Sequence, residues 1–64
     1  MVTINGEAAD AVGMTVRAYL LQAGYDVERV VVERNLGILT RDALDTTVIQ
    51  DDDSLEILCF VGGG

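Results

Sequence analysis

Apolar and polar positions alternate over Val2-Thr3-Ile4 and then meet Asn5-Gly6. That dipeptide is the strongest short-range hairpin signal, because both of its residues accept positive φ. It predicts a turn into a second strand near Ala8 to Val12. Past Gly13-Met14 the apolar spacing lengthens: Val16, Leu20 and Ala23 recur at i, i+4 and i+7 with Tyr19 beside them, which is the stripe of a helix. Thr15 stands where an N-cap belongs, Gly24 closes the helix as its C′ residue, and Tyr25 is placed to pack back on the last turn. The expected helix is about ten residues long, near the mean for globular proteins.

Arg29-Val30-Val31-Val32-Glu33 follows as a β-branched, mostly buried strand. Arg34-Asn35-Leu36-Gly37 reads as a turn, Ile38 and Leu39 as a short extended piece, and Thr40 to Leu44 as one helical turn capped by Thr40. Thr47-Val48-Ile49 reads as a short strand, and an acidic turn at Asp51 to Ser54 feeds the final strand. In that strand Leu55, Ile57 and Cys59 are expected to face the core, with Glu56, Leu58 and Phe60 outward. It runs without a linker into Gly62-Gly63-Gly64. Glycine has no Cβ, so such a tail threads through a channel too narrow for any side chain.

The order is hairpin, helix, strand, short strand, strand, with no internal repeat: an α+β chain. One helix covers only one face of a sheet, so its apolar stripe is expected across a mixed four- to five-stranded sheet. The last strand is too apolar for a lone edge and is best protected beside the first. The two then run parallel, which is the β-grasp, or ubiquitin-like, arrangement. Residues 1–61 form a single domain in this reading, and 62–64 a flexible glycine tail.

Composition narrows the chemistry. A 64-residue chain buries only about 60% of the surface its unfolded form exposes, leaving space for one small core and, by expectation, no pocket of enzyme size. The chain has no histidine and one cysteine, Cys59, so it offers no zinc site, no Cys/His or Ser/His pair and no disulfide framework. A lone thiol suits a reducing compartment, and the expected location is cytoplasmic. Cys59 reads as a small core residue. Asp51-Asp52-Asp53 lacks the alternating spacing and closing Glu of a calcium loop, and no metal is expected. The net charge of −7 disfavours nucleic acid and anionic lipid and favours partners with basic surfaces.

Several fragments together carry a resemblance that covers the whole chain. They are the opening Ile4-Asn5-Gly6-Glu7, Val32-Glu33-x-Asn35 followed by Ile38 and Arg41, Asp51-x-Asp53-x-Leu55-Glu56-Ile57, and the ending Phe60-Val61-Gly62-Gly63-Gly64. In this conjunction the chain resembles the ThiS family, the sulfur carriers of thiamin biosynthesis within the wider ThiS/MoaD group. It departs from the family pattern at Gly13-Met14, where an acidic residue is common, and at Cys59.

The resemblance implies a carrier without catalytic residues or bound cofactor. An E1-like, ThiF-type enzyme would consume ATP to adenylate the Gly64 carboxylate, and a sulfur donor protein would turn the adenylate into a thiocarboxylate. A ThiG-type thiazole synthase would accept the sulfur, with Gly62 and Gly63 threading through the partners' sites. Leu58 and Phe60, outward beside the tail, are the expected partner-facing patch. Other readings share the fold: a MoaD-type small subunit of molybdopterin synthase, a ubiquitin-like binding module with an inert tail, or a modifier attached to lysines.

Overall fold

A computed structural model of the protein describes residues 1–60. The glycine tail 62–64 and the domain boundary at residue 61 therefore lie outside the described residues. Val2–Ile4 (β1) and Glu7–Ala9 (β2) form an antiparallel hairpin. Its two-residue loop is Asn5-Gly6, at φ 52° and 83°, the left-handed pair that such a loop requires. Helix α1 spans Val16–Gln22. Val30–Arg34 (β3) and Gly37–Leu39 (β4) make a second hairpin, Arg41–Leu44 is the single turn α2, and Ser54–Cys59 is β5.

The sheet order is β2-β1-β5-β3-β4, with β5 parallel to β1 and antiparallel to β3. This is the mixed five-stranded β-grasp, with the last strand beside the first. One sheet face supplies Val2, Ile4, Val30, Val32, Leu55 and Ile57 to the core, and α1 covers them with Val16 and Leu20. Removing each such side chain from water contributes about 1.5–3 kcal/mol before entropy is counted. The caps fall where the sequence placed them. Thr15 Oγ1 accepts from the Ala18 amide at 3.1 Å and Thr40 Oγ1 from the Ala43 amide at 3.3 Å. Gly24 takes φ 89° just past the helix, and Tyr25 is half-buried against the core.

Four local expectations are corrected. Helix α1 is seven residues long rather than ten, and Ala23 is its exposed C-cap rather than part of the stripe. The second strand ends at Ala9, so Val12 lies outside it and is exposed. Thr47 to Ile49 forms no strand: Val48 makes one isolated bridge to Thr15, while Ile49 is fully buried. The segment is tied to the loop leading into α1 by hydrogen bonds from Gly13 N to Ile49 O (2.9 Å), from Ile49 N to Met14 O (2.8 Å) and from Val16 N to Thr47 O (3.0 Å), and the pairing goes no further because that loop turns into the helix at Val16. An open groove of about 750 Å³, lined by Met1, Ala8, Ala9, Asp10, Val12 and Asp51, has the volume expected to be missing. It sits by the start of β5, about 20 Å from the other end of that strand at the usual strand rise.

Candidate functional site

Everything expected to matter for function lies on β5 or beyond it, so the first question is how the fold holds that strand. Hydrogen bonds run from the amides of Thr3 to Asp53 O (3.0 Å) and Asn5 to Leu55 O (2.9 Å). Strand β1 stops there because its chain turns at Asn5-Gly6. The Asn5 side chain then stands in for the next rung: Ile57 N donates to Asn5 Oδ1 at 2.7 Å, and Asn5 Nδ2 donates to Ile57 O at 3.4 Å. On the other side β3 pairs with β5 through Cys59, and Phe60 N donates to Arg29 O at 2.8 Å. The chain is thus held in register up to the last described residue.

The turn before β5 is fixed by Asp53. Its carboxylate accepts from Arg34 Nε at 2.9 Å, Asn35 Nδ2 at 3.0 Å and Gln50 N at 2.9 Å. Asn35 Oδ1 in turn accepts from Ser54 N at 2.9 Å. Burial works against the charge on Asp53, but the Gln50 amide, the Asn35 side chain and the Arg34 guanidinium outweigh it and hold the carboxyl below its ordinary range. The acidic turn is therefore not uniformly solvated. Asp51 and Asp52 are exposed beside the Met1 ammonium, whereas Asp53 is a buried anchor. Asn5 and Asp53 were not singled out for these roles by sequence reasoning. The available signal was residue type, since Asn and Asp at turns habitually bond backbone amides through their side chains.

Leu58 and Phe60 emerge as expected, 54% and 62% exposed. Val31 lies opposite Leu58 on the same sheet face. Cys59 does not fit its expected place in the core and is exposed. It pairs with Val30 on β3, but β1 has already turned away and, among the described residues, no strand flanks it on the other side. Gly62, Gly63 and Gly64, the expected threading and sulfur-carrying residues, lie outside the described residues. Among the described residues no group of three or more His, Cys, Asp or Glu side chains is placed to hold a metal, and no helix is long and apolar enough to cross a membrane.

The arrangement has relatives. Two proteins described as thiazole synthase match over 62 residues, one from Magnetococcus marinus at 39% identity and one from Paramagnetospirillum magneticum at 44%. Each match covers 95% of this chain and only 19% of the relative, so the chain spans about a fifth of those proteins' length. The crystal structure of a thiamine biosynthesis protein (ThiS) from Geobacter metallireducens superposes with a TM-score of 0.76 at 37% identity, covering 98% of this chain and 97% of that one. Its solution structure gives the same TM-score at 36% identity and covers 98% of this chain and 86% of that one. The family model for ThiS matches residues 2–64. With a β-grasp whose central strand leads toward the glycines, this chain belongs to the ThiS family.

Proposed function

We propose that this protein is a sulfur carrier for thiazole formation in thiamin biosynthesis, acting as a co-substrate of partner enzymes rather than as an enzyme. The observation that carries the reading is the family match, which extends through Gly64. An E1-like adenylating enzyme transfers AMP from ATP to the Gly64 carboxylate and releases pyrophosphate. A sulfur donor then displaces AMP to leave a terminal thiocarboxylate. A carboxylate is a poor electrophile until its oxygen becomes part of a good leaving group, and the thiocarboxylate sulfur is in turn a good nucleophile. Gly62 and Gly63 admit the chain to both active sites because they carry no side chain. Two relatives described as thiazole synthases favour a ThiG-type acceptor over molybdopterin synthase. The setting is the cytoplasm, where the exposed Cys59 stays reduced.

The test is intact mass spectrometry after incubation with the adenylating enzyme, ATP and a sulfur donor. Wild type should exchange one oxygen for sulfur, localised to Gly64 in the terminal peptide. Gly63→Val, Gly64→Val and a variant extended by one C-terminal residue should keep the fold and fail to load. Loading of the extended variant, or sulfur found on Cys59 with Gly64 untouched, would overturn the mechanism.

A further inference from the structure

Glu33 on β3 and Glu56 on β5 stand directly opposite each other. Strand alternation sends both to the solvent face of the sheet, where facing Cβ atoms are about 5 Å apart and like charges repel. The sequence has only four arginines and no lysine, and each arginine is engaged with a different carboxylate: Arg17 with Asp45, Arg29 with Asp26, Arg34 with Asp53 and Arg41 with Glu28. Among the described residues no cation is paired with Glu33 or Glu56. Apolar groups bound the pair on the same face. Ile38 sits opposite Glu33 on β4, and Val31 and Leu58 face each other two residues along β3 and β5. Ile38 and Leu58 are 68% and 54% exposed. Two unneutralised carboxylates framed by exposed apolar side chains make a poor free surface and a good complementary one.

We propose that Glu33 and Glu56 together receive one basic side chain, an arginine, from the protein that docks on this sheet face. The inference rests on the reading of Leu58 and Phe60 as a partner-facing patch and adds what that partner must present. Arginine fits because its planar fork offers donors to two acceptors at once, where an ammonium is a point charge. The pair acts as a selector. A partner carrying the arginine relieves the repulsion, whereas one with an apolar surface there would trap two like charges away from water.

Glu33→Gln, Glu56→Gln and Asp10→Asn each remove one unit of negative charge, the last from an exposed acid just past the edge strand β2, with β1 between that strand and β5. Affinity for the adenylating enzyme is measured by calorimetry across a salt series, alongside each variant's thermal midpoint and its sulfur loading. Each glutamine variant should bind about tenfold more weakly with a shallower salt dependence, and its midpoint should be unchanged or higher because a repulsion is gone. Asp10→Asn should bind within about twofold of wild type, as expected for a peripheral charge. Glutamine variants that bind like wild type while wild type loads sulfur overturn the arginine receptor alone. An equal loss in Asp10→Asn reduces the effect to overall charge, and a lowered midpoint in both glutamine variants assigns the pair to the fold; either result overturns the proposal. A wild type that neither binds nor loads overturns the carrier reading with it.

Discussion

At the scale of single residues, the side chains that aim β5 are polar ones set in turns, and of these Asp53 is buried. Asp53 illustrates how much depends on a charge. Its folded-state carboxyl titrates below the unfolded value, so its contribution is fully present above the unfolded carboxylate pKa of about 3.9 and is lost as pH falls through the lower folded value. Asp53→Asn should therefore be less stable than wild type at pH 7 and should show a shallower loss of stability below about pH 4. Urea unfolding at pH 7, 4 and 3 measures this, and parallel pH curves for the two proteins would show that the carboxylate is not the group responsible. At pH 7 the expected cost is about 2 kcal/mol, below the roughly 3–5 kcal/mol for one member of a fully buried ion pair, because Arg34 retains partial access to water.

At the scale of elements, what was legible in the sequence was local and what was not depended on where a neighbour stops. The Asn5-Gly6 hairpin, the Thr15 and Thr40 caps and the Gly24 terminus follow from residues within a few positions of one another. The parallel placement of β5 beside β1 also followed, because its apolar run leaves no good edge position. Alternation correctly put Leu58 and Phe60 outside. It misplaced Cys59, since periodicity carries a strand's facing but not the length of the strand beside it. The same reason removed the expected strand at Thr47 to Ile49. One element carries a visible local conflict. The β3–β4 loop is Asn35-Leu36 at φ 51° and 76°, with Leu36 96% exposed. A left-handed leucine costs about 1–2 kcal/mol, and two-residue loops of this hand favour Asn-Gly. Leu36→Gly should therefore raise stability by about 1 kcal/mol, a thermal midpoint increase of about 4–8 °C for a domain of this size. An unchanged or lower midpoint would show that the exposed leucine packs in a way that offsets its backbone strain.

At the scale of the whole molecule, the helix takes one sheet face and leaves the other to solvent, so the core and the proposed contact surface are separated by the thickness of one sheet. A change on the outer face should then be readable as binding without becoming a change of fold. Phe60→Ala removes a largely exposed ring whose backbone amide, not its side chain, holds the strand to Arg29. It should weaken association with the adenylating enzyme about tenfold or more, the range of an aromatic anchor, with the thermal midpoint unchanged. Calorimetry and a melting curve on the same sample decide it, and loss of the folded transition would place Phe60 in the core instead. The central position of β5 has a mechanical consequence as well. A partner that draws on the chain beyond Phe60 pulls along a strand whose bonds to β1 and β3 lie across the direction of pull. Those bonds are loaded together in shear and cannot be peeled one at a time as they would be on an edge strand. Under the proposed carrier function, the terminus is thus free to be tugged through repeated cycles of loading and delivery while the sheet that presents it stays whole.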